Sequence, residues 1–291
     1  MEVVVGADVP EEEQRYAGRP GKTVRQYLLS ANAADGLNVN LYRSQYQSGD
    51  AAFESPRHHH AFQQIRWTES GTVNYAPGQD IPEGDLAYFP RGAYYGPQRK
   101  DQGIGVLLQF GFDAEHQSGA AWSAHREAAL ERLKSRGRFE HGLYISTDPA
   151  TGETAERDAV QAIYEEQALE RGSGQFTIPP EGYETPILIH PRAFAYYQTA
   201  PGVEIKHLGN FYDHPGPNAD AGLSMLRLSA IGAYNLGAQR AQVGWTGAPG
   251  LQIDGKTYPE LTYFYSPRGE TAAFSAEDEV EVHLVELPRL G

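Results

Sequence analysis

The feature that most constrains the fold of this chain is an internal repeat. Residues 64–68, Gln-Ile-Arg-Trp-Thr, match residues 242–246, Gln-Val-Gly-Trp-Thr. A Pro-Arg-Gly tripeptide follows the first tryptophan by 23 residues, at 90–92, and the second by 22 residues, at 267–269. Chance rarely supplies two matched segments at nearly equal spacing. The repeat therefore predicts two copies of one structural unit.

Each copy falls within a run of strand-sized segments. The 291 residues include 32 glycines and 19 prolines, and these turn-forming residues separate the apolar stretches. The strands predicted for the first unit are 24–30, 37–47, 63–68, 72–75, 85–89 and 105–110. Those predicted for the second unit are 186–189, 203–211, 223–230, 241–246, 261–266 and 280–287. Many short strands separated by turns are typical of an all-β sandwich or barrel.

The segment between the two units has a helical pattern. One helix is predicted from a cap at Ser118 to Arg136. A second carries apolar residues at helical spacing from Val160 to Ala168 and ends before Gly172. The predicted domains are a first barrel at 1–115, a helical connector at 116–185 and a second barrel at 186–291.

Composition excludes several classes of protein. The chain has no cysteine, which excludes disulfide scaffolds, thiolate metal sites and cysteine nucleophiles. Its formal net charge of −14 argues against nucleic acid as a partner, because nucleic-acid binders need a cationic surface. The N-terminal segment lacks the pattern of a signal peptide, and no apolar run is long enough to span a membrane. We expect a cytoplasmic protein.

Three consecutive histidines carry the first chemical signal. Alternate residues of a strand share a face, so His58 and His60 point to one side and His59 to the other. Two imidazoles at this spacing can bind one metal ion from neighbouring positions. A polar lining without an ion is the structural alternative for His58 and His60, and a surface position is the expectation for His59.

The spacing around these histidines resembles the two signature motifs of the cupin superfamily. His58-x-His60 is followed after three residues by Gln64 and after six more by Gly71, where the family has His-x-His, glutamate and glycine. The second motif is Gly84, five residues, Pro-x-Gly at 90–92, two residues and then Tyr95, where the family has histidine. The leading glycine of the first motif is absent, since position 52 is alanine. With the repeat, the chain resembles a bicupin, which implies two double-stranded β-helix (jelly-roll) barrels.

The resemblance also implies a function and a cofactor. Cupin enzymes commonly hold Fe, Mn, Ni, Cu or Zn on three histidines and a glutamate, and they include dioxygenases, decarboxylases, lyases and isomerases. By correspondence, His58, His60, Gln64 and Tyr95 would bind one first-row transition metal, with iron as the first choice. Tyr95 and His60 would be catalytic toward a small, oxygen-rich organic substrate. Because Gln64 and Tyr95 replace two family ligands, the set carries less negative charge unless Tyr95 ionises.

Two other classes of function remain open at this point. Metal-independent cupin epimerases and cyclases use histidine as base and tyrosine as acid, roles that His60 or His58 and Tyr95 could fill. The barrel could also bind a small molecule without catalysis. Packing is an alternative role for Tyr95, which lies in a tyrosine-rich segment, and a framework role is an alternative for Gln64, which recurs as Gln242.

Two further polar residues are predicted to line the first barrel. Arg66 lies two residues after Gln64 on the same strand, so it should face the interior. A buried arginine needs either an internal carboxylate, for which Glu69 is the candidate, or an anionic substrate. Gln109 is the second candidate for the substrate-binding lining.

The second unit lacks the candidate ligands. Alignment of the repeats places Leu236 and Ala238 where the first unit has His58 and His60, and Ala272 where it has Tyr95. We expect this half to bind no metal and to cover the apolar outer surface of the first barrel, as a second subunit would. The whole chain would then be a monomer or a homodimer.

Overall fold

The computed structural model describes residues 1–16, 19–32, 37–112, 120–171 and 182–289. The strands before the connector are β1 (Glu2–Val5), β2 (Glu12–Gln14), β3 (Thr23–Asn32), β4 (Asn38–Tyr46), β5 (Phe53–Ser55), β6 (Gln63–Ser70), β7 (Thr72–Ala76), β8 (Gln79–Pro82), β9 (Leu86–Phe89), β10 (Gln98–Lys100) and β11 (Gly103–Phe112). Turn residues separate them as expected. Gly71, between β6 and β7, has a φ of +71°, and a Cβ there would lie 3.2 Å from the Gly103 Cα.

The connector contains α1 (Ala120–Lys134), β12 (Gly137–Glu140), β13 (Leu143–Thr147), β14 (Thr154–Asp158) and α2 (Ala159–Arg171). Both predicted helices are present, but the three strands between them form an antiparallel sheet, so the connector is mixed rather than helical. Tyr144 on this sheet packs with Leu133 and Ile163 of the two helices. The predicted cap at Ser118 and the boundary at 115–116 lie outside the described residues.

The strands after the connector are β15 (Ile187–Ile189), β16 (Tyr197–Ala200), β17 (Val203–Asn210), β18 (Gly222–Leu228), β19 (Ala233–Leu236), β20 (Gln242–Thr246), β21 (Leu251–Ile253), β22 (Lys256–Thr257), β23 (Thr262–Ser266), β24 (Ala272–Ala276) and β25 (Val280–Glu286). The described part of the chain is thus mostly strand, as predicted. No helix in it is long and apolar enough to cross a membrane.

Two seven-stranded sheets organise the molecule. The first barrel contains the sheet β15-β9-β6-β11-β4-β3-β2 and the strand pairs β5–β10 and β7–β8. The second barrel contains the sheet β1-β23-β20-β25-β18-β17-β16 and the smaller sheet β19-β24-β21-β22. The repeated segments occupy equivalent places, because β6 lies between β9 and β11 as β20 lies between β23 and β25.

Sheet membership departs from the predicted domain ranges at two strands. The first strand of the chain, β1, pairs with β23 at the edge of the second barrel's sheet. The strand that follows the connector, β15, pairs with β9 at the edge of the first barrel's sheet. Each barrel therefore contributes one strand to the other, and each exchanged strand satisfies backbone groups that an open edge would leave unpaired.

Strand alternation gives each large sheet two different faces. On β6, Ile65 joins an apolar core shared with the second barrel, whereas the neighbouring Gln64 and Arg66 face the first barrel's interior. The shared core takes Leu41, Leu108 and Phe110 from the first barrel and Leu223, Val243, Trp245 and Val285 from the second. The second barrel thus covers the outer surface of the first, as the sequence predicts.

Candidate active site

The two motif segments meet in the first barrel. The backbone N–H of His58 donates to the Tyr95 carbonyl over 3.0 Å, and the Tyr95 N–H donates to the His58 carbonyl over 3.0 Å. The N–H of Gly92 donates to the His60 carbonyl over 2.8 Å. These bonds place the His58 ring centroid 5.1 Å from that of His60 and 4.5 Å from that of Tyr95. His58, His60 and Tyr95 therefore form one cluster.

His59 points away from this cluster, toward the connector. Its ring centroid lies 4.6 Å from that of Tyr94, and its Nε2 lies 3.7 Å from a Glu165 carboxylate oxygen on α2. Its backbone N–H donates to the side-chain oxygen of Gln161, also on α2. The alternation expected for the three histidines is what the structure shows.

Both histidines of the cluster are held neutral. The Nδ1 of His58 lies 2.8 Å from the Pro56 carbonyl oxygen, which can only accept, so Nδ1 carries the proton and Nε2 has a free lone pair. Burial lowers the pKa of His58 well below its usual value, and Arg19 lowers it further. Burial also lowers the pKa of His60, and the nearby His58 adds to the effect. Each imidazole can therefore accept a proton or bind a cation through its free nitrogen.

Arg66 lies in the interior of the first barrel and is 5% exposed. Its Nε donates to Gln64 Oε1 over 2.6 Å, its Nη1 to Gln98 Oε1 over 3.2 Å, and its Nη2 to the Tyr95 hydroxyl over 2.9 Å. Its guanidinium carbon lies 4.4 Å from the Phe89 ring centroid. All three hydrogen-bond acceptors are neutral groups, so the structure gives this buried cation no counter-charge among the described residues.

Of the two partners that the sequence left open for Arg66, the internal carboxylate Glu69 is wrong. Glu69 forms an ion pair with Arg43 instead, with hydrogen bonds of 2.7 Å to both carboxylate oxygens. The reason is strand alternation: residues three apart on a strand point to opposite faces, so Glu69 lies outside the interior that Arg66 enters.

Gln109 lies where the sequence predicts, on the interior wall. It is directly opposite Gln64 in the register of β11 and β6, so the two side chains share a face. Its amide nitrogen donates to the Tyr42 hydroxyl over 2.6 Å. The structure thus places Gln109 on the same interior face as Gln64, and its contact with a substrate stays a prediction.

Sequence reasoning missed two cations of the same interior. Lys100 is 4% exposed; its Nζ donates to the Tyr46 hydroxyl over 3.1 Å and lies 4.5 Å from that ring's centroid. Burial lowers the pKa of Lys100 well below its usual value, and the charges of Arg66 and Arg25 lower it further. The Arg25 guanidinium carbon lies 4.2 Å from the Tyr42 ring centroid. Alternation from Gln98 could have indicated Lys100, but no local pattern indicates Arg25.

The four-residue metal set does not fit a metal ion. The oxygens of Gln64 and Tyr95 that would be ligands accept hydrogen bonds from Arg66, which places a cation between them. Burial raises the pKa of Tyr95, so a phenolate ligand is disfavoured. The described residues contain no group of three histidine or carboxylate side chains that could hold an ion. Only the two imidazoles remain as donors.

The second barrel has the same backbone arrangement, but apolar side chains replace the histidine and the tyrosine. Leu236 on β19 pairs with Ala272 on β24, just as His58 pairs with Tyr95. Both residues belong to an apolar cluster that fills this interior, with Phe264, Phe274 and Leu284 among its members. The alignment that places Leu236 at His58 and Ala272 at Tyr95 agrees with the strand register.

Solved structures resemble the chain along its whole length. A protein from Nostoc punctiforme described as a putative dioxygenase has a TM-score of 0.61 at 10% identity, and the match covers 99% of this chain and 83% of that chain. The E162A mutant of oxalate decarboxylase from Bacillus subtilis has a TM-score of 0.54 at 12% identity, covering 100% of this chain and 78% of that chain. No family model and no curated protein matches the sequence.

Another structure of the same decarboxylase, with a TM-score of 0.52 at 12% identity and covering 100% of this chain and 78% of that chain, is described as having Mn(II) centres. Iron, the metal that the sequence put first, gains no support from these neighbours. At such low identity the likeness shows the fold, in agreement with the repeat and the paired sheets. The chain therefore has a bicupin fold, with two β-barrels of this type in one polypeptide.

Proposed function

We propose that the first barrel is the active site of a cupin-type enzyme that moves protons on a small, oxygen-rich organic substrate. In this proposal His60 is the base, with His58 beside it, and Tyr95 is the acid. The observation that carries the proposal is the hydrogen bond from Arg66 Nη2 to the Tyr95 hydroxyl, 2.9 Å long, next to two neutral imidazoles. The two neighbours named as a dioxygenase and a decarboxylase support an enzymatic role for this fold.

The roles follow from the contacts of each group. Because the Tyr95 oxygen accepts from a guanidinium, its own proton is free to be donated, and Arg66 would stabilise the phenolate left behind. His60 is less buried than His58, so an entering substrate would reach it first. Its lone pair can accept a proton from carbon or oxygen of the substrate. Gln109 and Arg66 would orient the substrate beside them.

The test is exchange of substrate hydrogen with solvent. Small hydroxy- and keto-acids and sugars are incubated with the protein in deuterium oxide, and deuterium incorporation is followed by NMR. For a substrate found in this way, Tyr95→Phe and His60→Gln should each slow exchange by about 100-fold or more, and dialysis against a chelator should leave it unchanged. His59→Ala is the matched control, because His59 faces the connector. Unaltered exchange in both variants would refute the assignment.

A second candidate is a metal-dependent enzyme of oxygenase, lyase or isomerase type. The favouring observation is the hydrogen bond of His58 Nδ1 to Pro56, since metal-binding histidines usually donate their other ring nitrogen in this way. One first-row transition metal would then sit on His58 and His60, with Fe, Mn, Ni, Cu and Zn as candidates. Elemental analysis of the purified protein decides: stoichiometric metal that disappears in His58→Ala and His60→Ala would support this candidate over the first.

The remaining expectations are also proposals. A small molecule is the proposed ligand, with neither nucleic acid nor a membrane as a partner, and the chain is proposed to be a cytoplasmic monomer or homodimer. Saturable binding of a small molecule without turnover would favour a non-catalytic binding protein. Light scattering gives the oligomeric state directly.

A further inference from the structure

Three cations enter the first barrel's interior from different strands. Arg25 comes from β3, Arg66 from β6 and Lys100 from β10. Burial lowers the pKa of Lys100, and the charges of Arg66 and Arg25 lower it further. Arg66 and Lys100 are 5% and 4% exposed. The Nε of Arg25 is buried and has no hydrogen-bond acceptor among the described residues.

The groups around these cations are neutral. Gln64, Gln98 and the Tyr95 hydroxyl accept from Arg66, the Tyr46 hydroxyl accepts from Lys100, and the Tyr42 ring faces Arg25. In the described part of the chain, the interior carboxylate near them, Asp158, is already bound to Arg19 by two hydrogen bonds.

A buried cation without an anion is costly, and three together repel each other. Lys206 in the second barrel shows how a buried lysine is usually compensated by a nearby carboxylate. It is also buried and lies 4.2 Å from the Tyr196 ring centroid, but it donates to the Pro191 carbonyl and is in the field of Glu281. The first barrel offers amide and phenol oxygens where the second offers a carboxylate.

We propose that the interior of the first barrel binds a small organic anion, with a carboxylate held among Lys100, Arg66 and Arg25. The carboxylate supplies the missing charge, takes N–H donors from Lys100 and Arg25, and can replace a neutral acceptor of Arg66. This inference names the substrate class of the proposed active site, and it adds two residues, Lys100 and Arg25, that lie outside the sequence motifs.

The test uses malonate as the probe and its neutral analogue malonamide as the comparison, with binding measured by calorimetry at constant ionic strength. Malonate should bind saturably and malonamide should not. Lys100→Met and Arg25→Met should each weaken malonate binding by about tenfold or more. The matched control is Lys206→Met, which removes a buried lysine from the second barrel and should leave the affinity unchanged.

Thermal unfolding separates loss of the ligand site from loss of the fold. Because a buried cation without a counter-charge reduces the stability of the free protein, Lys100→Met should unfold at the wild-type temperature or higher. Lys100→Gln provides a polar replacement if the methionine variant does not fold. Wild-type affinity in both Lys100→Met and Arg25→Met, equal binding of malonamide, or no saturable malonate binding at millimolar concentration would each overturn the inference.

His60→Gln separates this inference from the proposed function. That variant should lose hydrogen exchange on a substrate while it retains malonate binding, because His60 is not among the cations. Failure of malonate binding with exchange intact would refute the anion site and leave the acid–base assignment standing.

Discussion

The two barrels share a backbone plan and differ in what fills it. Arg66 on β6 lies opposite Ala87, whereas Gly244 on the equivalent strand β20 lies opposite Phe264. A Cβ on Gly244 would come within 2.2 Å of the Phe264 ring. In the first barrel the large residue is on β6 and the small one on β9, whereas in the second barrel the small residue is on β20 and the large one on β23. One interior closes around an aromatic ring, and the other around a guanidinium.

This difference separates folding from function. The second barrel shows that the fold closes with an apolar interior in which Leu236 and Ala272 lie where the first barrel has His58 and Tyr95. The cations and histidines of the first barrel are thus not needed to form this architecture. Because a buried, unpaired cation reduces stability, the first interior is the place where we expect stability to have been exchanged for chemistry.

The largest expected effect tests how differently the interiors contribute to stability. Phe264→Ala should reduce the free energy of unfolding by about 4 kcal/mol, because it opens a cavity in a filled apolar cluster. Gln109→Ala, on the interior wall of the first barrel, should cost less than about 1 kcal/mol, since only a hydrogen bond to Tyr42 is lost. Urea unfolding measures both. Equal costs would mean that the first interior is packed as tightly as the second.

The next test concerns the connector, which forms a buried ion pair with the first barrel. Arg19 binds Asp158 through two hydrogen bonds, and neither side chain is appreciably exposed. Asp158→Asn leaves Arg19 buried and unpaired, so it should cost about 3 kcal/mol and expose the connector to proteases.

The control for this variant is Arg157→Gln, which breaks the exposed pair between Arg157 and Glu165 on the same connector. That change should cost less than about 0.5 kcal/mol. If Asp158→Asn were as mild as the control, the connector would not be fastened to the first barrel by this pair.

Much of the fold can be predicted from the sequence because it depends on the spacing of residues that are close in the chain. The repeat fixes β6 and β20, and the motif spacing brings His58 beside Tyr95, since both depend on strand and turn lengths. The same alternation that predicts an inward Arg66 also excludes Glu69 as its partner, so that error was avoidable. The strands β12 to β14 were missed because β12 and β14 are mostly polar and β13 has only a short apolar run, Leu-Tyr-Ile, without alternation.

Other features depend on contacts between distant segments. Arg25, Arg66 and Lys100 come from three strands far apart in the chain, and no local pattern shows that they meet. The exchange of β1 and β15 between the barrels likewise depends on which sheet edge is open. The hydrogen bonds of Arg66 to Gln64 and Tyr95, which decide against the four-residue metal set, depend on side-chain placement inside the closed barrel.

The contact between the barrels has its own titratable group. His283 on β25 is buried and stacks on Trp245 with ring centroids 4.9 Å apart, and it lies 4.9 Å from the ring of Trp67. Burial lowers its pKa from the usual 6.5 to about 4. Between these values the unfolded chain binds a proton that the native chain does not, so stability falls as the pH falls from 6.5 to 4.

His283→Phe should remove this loss, which amounts to about 3 kcal/mol when complete. Near pH 7 the variant should be about as stable as the wild type, and at pH 4 it should be clearly more stable. Urea unfolding across the pH range measures the difference. His207→Phe, at an exposed position of the same sheet, is the control. An unchanged pH dependence in His283→Phe would show that protonation of His283 does not cause the loss of stability at low pH.

The smallest expected effect compares one substitution at two equivalent positions. Gln64 accepts from Arg66, whereas Gln242 donates to Glu286, a carboxyl whose pKa is raised by burial. Gln64→Glu gives a buried cation its missing counter-charge and should stabilise the protein by about 1 kcal/mol at pH 7. Gln242→Glu sets two carboxylates side by side and should destabilise it by about as much.

One substitution should stabilise the protein and the other destabilise it, because the two interiors carry different charges. The pH dependence of both effects tests this explanation. The gain in Gln64→Glu should be lost only as the pH falls below about 4, because the Arg66 cation keeps the new carboxylate ionised to a lower pH than in the unfolded chain. The loss in Gln242→Glu should shrink as the pH falls, because protonation removes the repulsion. The same Gln64→Glu variant should also bind malonate more weakly, since its carboxylate competes with the ligand for Arg66. A change of the same sign in both barrels would show that Arg66 already has a counter-charge in the free protein, and the contrast between the two interiors would then be one of size alone.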